Sequence, residues 1–283
     1  MTTPVPFEII RPDIPRGAFK SVLFDFDGTL SLIREGWQRV MIPMMVEVLR
    51  RETPTAESDA ELMTVVEEFV TRLTGKQTIY QMIRLAEEVR RRGGQPADPL
   101  YYKREYHTRL LTRIQNRLDD LSQGRATPED WTVPGSHQLL EALRRRGLVL
   151  YLASGTDLVY VEREAELLRL ADYFRPHIYG ALDDYRRFSK RLVIERILRE
   201  HNLRGEELLA FGDGFVEIEE VKKVGGVAVG VASDEVRRQG IDAWKRRRLI
   251  EAGADIIVPD YRHSAVWLPW LCDRADWPTP PAH

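Results

Sequence analysis

Short apolar runs alternate with stretches of helical spacing over most of the 283-residue chain. The runs Val22–Phe24, Leu148–Ala153, His177–Gly180, Leu208–Gly212, Val227–Val231 and Ile256–Val258 are bounded by Gly, Asp or Ser. Runs of this length without a polar face read as strands buried on both sides of a parallel sheet. Between them, Leu139–Arg146, Leu158–Leu170, Leu192–Arg199, Val216–Lys223 and Val236–Ala252 show helical spacing. The alternation predicts an α/β fold, a doubly wound parallel sheet with helices on both faces.

From residue 34 to 130 the strand pattern stops. Leu62, Val65, Val66, Phe69, Val70 and Leu73 trace one helix face, with Ser58 and Glu61 placed for a capping box ahead of it. Ile79, Met82, Ile83 and Ala86 repeat the spacing, as do Tyr106, Leu110, Ile114, Leu118 and Leu121. A further helix over Trp37–Leu49 contains Pro43, which would kink or split it. The expectation is an all-helical domain (34–130) inserted into a core domain formed by 1–33 and 131–283.

Composition narrows the function classes. The chain is 43% hydrophobic and 30% charged with a formal net charge of -2, which argues against disorder and against a nucleic-acid binder. No apolar stretch reaches the roughly 20 residues of a membrane span. The opening residues MTTPVPFEIIRPDIPRG do not read as a secretory signal. Cys272 is the single cysteine, so no intrachain disulfide or multi-cysteine zinc site is expected. These features predict a cytoplasmic protein. The runs Arg90–Arg92, Arg144–Arg146 and Lys245–Arg248 read as solvated surface, and the six histidines lack ligand spacing. Trp267, Trp270 and Trp277 would cover a sheet edge or support a dimer; the tail DWPTPPAH is expected to fray. Monomer and homodimer both stay open.

The most informative segment is Asp25-Phe26-Asp27-Gly28-Thr29-Leu30, at the end of the first strand. Parallel α/β sheets hold ligands at this edge, and Gly28 permits a sharp backbone departure. Ser154-Gly155 follows the second strand, Lys190 precedes a helix, and Gly212-Asp213-Gly214-Phe215-Val216-Glu217 follows another strand. In this order the four segments resemble the motifs of the haloacid dehalogenase-like hydrolases. The branch most resembled contains phosphoglycolate phosphatase and β-phosphoglucomutase, whose helical cap occupies the place of the inserted helices.

The resemblance implies a Rossmann-like core and a Mg²⁺-dependent phosphatase acting on a small phosphorylated metabolite. Asp25 would attack phosphorus and become an aspartyl-phosphate, while Asp27 would act as general acid and then base. Ser154, Lys190 and the Gly28 and Gly155 amides would bind the phosphoryl group. Asp25, the Asp27 carbonyl, Asp213 and Glu217, the last directly or through a water, would hold Mg²⁺. Lys76 and Gln77, in a Gly-containing connector, and Arg34, at the mouth of the site, are candidates for substrate selection. The presence of Asp27 argues against dehalogenation. A phosphomutase, or a silent fold used for binding, are the other readings.

Overall fold

The computed structural model describes residues 7–273. The expectations for the first six residues, for Trp277 and for the DWPTPPAH tail lie outside them. Among the described residues seven strands form one sheet, in the spatial order β1-β7-β6-β5-β2-β3-β4. They are β1 (Glu8–Ile9), β2 (Ser21–Phe24), β3 (Val149–Asp157), β4 (Ile178–Ala181), β5 (Leu208–Gly212), β6 (Val227–Val231) and β7 (Ile256–Val258). All pairings are parallel except that of β1 with β7. The six expected strands are all present. The short β1 was not expected, because two residues carry no periodicity.

Strand β2 is the middle of the site. All four of its residues are buried, and Phe24 is level with Leu152 on β3 and Phe211 on β5. The three strands therefore end side by side. The chain runs outward to β3 and β4 on one side of β2 and returns to β5 on the other. A crevice opens at such a reversal, beyond the carboxyl ends.

Four helices stand between β2 and β3: α1 (Gln38–Glu52), α2 (Asp59–Leu73), α3 (Thr78–Arg91) and α4 (Pro99–Ser122). Ser58 caps α2 as its sequence indicates: its hydroxyl accepts from the Glu61 amide, and the Glu61 carboxylate accepts from the Ser58 amide. Pro43 lies inside α1 without dividing it. The buried faces of these helices and one face of the sheet form a continuous apolar cluster that also includes Leu30, Leu32 and Ile33. Burial of that surface is the main stabilising term.

The remaining helices are α5 (Ser136–Arg145), α6 (Leu158–Leu167), α7 (Ala171–Phe174), α8 (Lys190–Glu200), α9 (Phe215–Lys223), α10 (Ala243–Ala252) and α11 (Ser264–Cys272). The helix expected over Val236–Ala252 is corrected to its second half. Arg238 and Gly240 take positive φ, and Asp242 begins α10 by accepting from the Trp244 and Lys245 amides. Leu158–Leu170 is interrupted likewise, where Arg169 has φ 55°. Trp267 and Trp270 are buried against the apolar cluster, covering the sheet from within the chain. Among the described residues no helix is long and apolar enough to cross a membrane.

Candidate active site

The turn after β2 is built by one carbonyl. Phe26 O accepts from the amides of Thr29, Leu30 and Ser31, folding the backbone back on itself. Gly28 sits at φ 75°, and a Cβ there would lie 2.1 Å from an Asp213 carboxylate oxygen. Glycine is required on both counts. Thr29 Oγ1 accepts from the Asp213 amide at 2.9 Å, so the first and fourth motifs are tied together by a side chain.

Asp25 and Asp27 have different partners. Lys190 Nζ lies 2.9 Å from Asp25 Oδ1 and 2.7 Å from Glu217 Oε2. Both Lys190 and Glu217 are buried, and Glu217 Oε1 also accepts from the Gly214 amide at 2.7 Å. Burial raises the Asp25 carboxyl well above the usual carboxylate range, opposed by Lys190 and reinforced by Glu217 and Asp213. Burial alone would lower Lys190, but Asp25 and Glu217 hold it above its ordinary value. The ammonium is therefore a fixed positive charge.

Asp27 is held by hydroxyls. Its Oδ2 accepts from Thr156 Oγ1 at 2.8 Å and from Ser154 Oγ at 3.2 Å. Thr156 was missed in the sequence, although it lies two residues beyond Ser154 on one strand face. The other oxygen, Oδ1, is buried without a hydrogen bond and faces Arg34 Nε at 3.8 Å. Arg34 is corrected from the mouth to the interior wall: it is 6% exposed and engages Glu164 through Nε and Nη2, the latter at 2.7 Å.

The inserted helices close the site from above through the α2–α3 connector. A Cβ on Gly155 would come within 3.1 Å of Lys76 O, and Gly75 Cα would lie 3.1 Å from one on Gly214. Lys76 faces the resulting cavity, which is also lined by Asp25, Asp27, Ser154, Gly155, Lys190 and Asp213. Gln77 was expected to reach a substrate and does not line it. Its Nε2 instead donates to Phe188 O at 2.8 Å and Tyr185 O at 3.3 Å, fastening the connector to the core ahead of Lys190. Burial makes those two bonds more valuable to the fold than solvated ones.

Lys245 corrects the reading of its basic run as solvated surface. Its ammonium lies 2.9 Å from Asp213 Oδ2 and 2.6 Å from Glu235 Oε1, mostly shielded from solvent. Arg246 pairs with Glu8, and Arg248 donates to Thr71 O and lies over the Phe215 and Trp244 rings.

Oxygens from Asp25, Asp213 and Glu217 lie within 4.8 Å of one another. This is a hard, all-oxygen donor set of the kind Mg²⁺ prefers. The surplus of carboxylates that raises Asp25 is the charge a divalent cation would offset. The residues fit the ion, though both Glu217 oxygens already have partners, which favours Asp25 and Asp213 as direct ligands.

Comparison with known proteins agrees with this geometry. No curated protein sequence matches the chain. Among solved structures, a predicted phosphoglycolate phosphatase from Haemophilus somnus 129pt is similar at TM-score 0.58 and 16% identity, over 88% of this chain and 97% of that one. A β-phosphoglucomutase from Clostridium difficile is similar at TM-score 0.53 and 13% identity, covering 82% and 98%. CbbY from Rhodobacter sphaeroides, in complex with phosphate, is similar at TM-score 0.53 and 20% identity, covering 86% and 95%. These likenesses show the shared fold of sheet and helical cap. The haloacid dehalogenase-like hydrolase family model matches residues 19–225, reaching from before the Asp25 turn to beyond Glu217, and the chain belongs to that family.

Proposed function

We propose that the protein is a Mg²⁺-dependent phosphatase that hydrolyses a small phosphorylated metabolite through an aspartyl-phosphate on Asp25. The observation that carries this reading is the unequal treatment of two carboxylates in one turn. Asp25 meets the Lys190 ammonium, whereas Asp27 meets two hydroxyls. Lys190, together with a cation offsetting the neighbouring carboxylates, would counter the burial that raises Asp25 and favour an anionic nucleophile there, and the second environment suits a group that gives and takes a proton.

In the first step an Asp25 oxygen bonds to phosphorus as the ester P–O bond breaks. Asp27 delivers its proton to the departing oxygen, releasing an alcohol. In the second step a water oxygen bonds to phosphorus while the Asp25–phosphorus bond breaks. Asp27 takes the water proton and is reset. Lys190, Ser154 and the amide of Gly155 bind the transferring oxygens, where preorganised donors contribute most; the Gly28 amide, expected among these donors, is corrected to a turn contact, since it donates to Ser31 O at 2.9 Å. Asp25, Asp213 and the Asp27 carbonyl would hold Mg²⁺, with Glu217 reaching it through water. When bound, the ion offsets negative charge on the phosphoryl oxygens. Lys76 and Arg34 face the leaving group. The cap excludes water that would weaken these interactions. A cytoplasmic location accompanies this reading, supported by the near absence of cysteine.

The test is phosphate release from a panel of phosphomonoesters with Mg²⁺. Asp25→Asn should lower it by at least ~10³-fold, and beryllium fluoride should form an adduct on Asp25. A mutant as fast as the parent overturns the mechanism. Interconversion of sugar phosphates primed by a bisphosphate, without net phosphate release, would identify a phosphomutase.

A further inference from the structure

Asp27 must give a proton at one step and take one at the next, so its carboxyl has to keep one orientation throughout. Three side chains come near it. Ser154 Oγ at 3.2 Å and Thr156 Oγ1 at 2.8 Å both donate to Oδ2, and Arg34 Nε lies 3.8 Å from Oδ1. Two of the three are committed elsewhere. Arg34 directs its Nε hydrogen to Glu164, 3.1 Å from either carboxylate oxygen, and leaves Asp27 Oδ1 buried without a hydrogen bond. The Ser154 hydroxyl has a single hydrogen. In the phosphatase reading that hydrogen goes to a phosphoryl oxygen, so it is withdrawn from Asp27 when substrate binds. Among the described residues, Thr156 is then the hydrogen-bond donor left to the Asp27 side chain.

Thr156 is placed for that task. It is 9% exposed and lines the cavity with Asp27 and Ser154. Branching at Cβ restricts its χ1, so the hydroxyl has little freedom to leave its partner. The pairing of β3 with β4 shifts register between Ala153 and Asp157, and irregularities of this kind re-aim side chains beside active sites. On the far side of Thr156, the Asp157 carboxylate is gripped by the Lys103 ammonium and approached by His107 Nδ1 at 3.4 Å. The Thr156 amide meanwhile donates to Ser154 Oγ at 3.0 Å. The backbone that carries the hydroxyl is thus held on both sides.

We propose that Thr156 is a positioning residue for phosphoryl transfer, its hydroxyl aiming the Asp27 carboxyl at the departing oxygen. This rests on the phosphatase reading above and names the side chain that makes its acid effective. As the ester P–O bond breaks, its electron pair goes to the leaving oxygen, which takes the Asp27 proton while an Asp25 oxygen bonds to phosphorus. A basic alkoxide or phenolate needs that proton, whereas a dinitrophenolate is stable without it. A misaimed Asp27 therefore costs rate according to the basicity of the leaving group. A lost phosphate contact or a loosened fold would slow every ester alike.

The experiment measures kcat/KM for phenyl, p-nitrophenyl and dinitrophenyl phosphate with Mg²⁺, a quantity that reports ester cleavage and not the later hydrolysis of the aspartyl-phosphate. Where the protein takes only alkyl esters, ethyl and trifluoroethyl phosphate replace them. Thr156→Val exchanges the hydroxyl for a methyl of similar size. It should lose about 10- to 100-fold on the most basic leaving group and less than about three-fold on the least basic, since a general acid supplies ~10²–10⁴-fold. Thr156→Ser, which keeps a hydroxyl, should recover most of the loss. The esters are compared within one preparation, so a smaller folded fraction cancels, and Thr156→Ala serves if Thr156→Val does not fold. Equal losses on all esters overturn the proposal. So does an unchanged rate on the most basic leaving group, or Thr156→Ser no faster than Thr156→Val. In each of those cases phosphate release by the parent leaves the phosphatase reading standing. If the folded, Mg²⁺-loaded parent releases phosphate from no phosphomonoester, both readings fall together.

Discussion

Lys245 Nζ lies 2.9 Å from Asp213 Oδ2, so the acidic residue of the fourth motif is paired with a lysine 32 residues further along the chain. The same ammonium holds Glu235 at 2.6 Å. Both carboxylates raise Lys245 above its ordinary value against the effect of burial. It therefore remains charged and links α10 to the site.

Lys245→Met should strand Asp213 and Glu235 as neighbouring carboxylates, at a cost of about 3–5 kcal/mol for a buried pair broken on one side. Thermal unfolding should show a lower Tm. Added Mg²⁺ should raise the variant's Tm more than the parent's, since the ion can replace part of the missing charge. Equal Mg²⁺ responses would count against the shared location.

Glu217→Gln should keep an acceptor for the Gly214 amide while removing one of the two negative charges on Lys190. The ammonium then has less to hold it beside Asp25. A loss of about 10- to 100-fold in kcat is expected, as for other groups that orient those touching substrate, with KM changed much less. Steady-state kinetics that show a pure KM effect would contradict this placement.

Gly155→Val should hinder closure of the cap. The first side-chain carbon alone would lie 3.1 Å from Lys76 O and 3.3 Å from Gln77 Cα, and a branched side chain adds bulk against the same backbone. KM should rise by at least about ten-fold, equivalent to ~1.4 kcal/mol, while Tm stays near the parent value. A similar substitution at Gly147, where a Cβ meets nothing within 4 Å, is the control, with strain from its φ of 75° expected in stability alone.

Acid should loosen the cap through Glu57. Hydrogen bonds from Arg92 and Thr55 lower its carboxyl to about 2 from an ordinary 4.5. A depressed folded value means the contribution is fully present above the unfolded pKa and is lost as pH falls from about 4.5 towards 2. The pair is partly solvated, so the effect should stay below about 1 kcal/mol. Urea unfolding at several pH values should show Glu57→Gln with a flatter slope in that window and no difference from the parent below it.

Much of the core could be read along the chain, because strands such as Leu208–Gly212 are contiguous and their ends carry the reacting groups. Asp25, Asp27, Ser154, Lys190 and Asp213 do converge: Asp25, Asp27 and Asp213 just beyond strand ends, Lys190 at a helix start, and Ser154 within β3, which runs three residues past it rather than ending before it. What escaped depends on folding. Glu164 meets Arg34 across 130 residues, and no local pattern marks it as a partner. Lys245 was hidden in a run of basic residues whose members face different directions on α10. The overlong helix at Val236–Ala252 failed because apolar spacing does not reveal a left-handed residue such as Arg238.

The α2–α3 connector meets the core loops at Gly155 and Gly214 largely through main-chain atoms, with Gln77 as its side-chain fastening. The seal is thereby kept by backbone contacts and one carboxamide, while Lys76 lies along the cavity. Positions such as Lys76 can be exchanged without rebuilding the seal between the two halves. A scaffold of this kind can be retargeted by a few point changes, and libraries restricted to those positions are the natural place to look for altered preference.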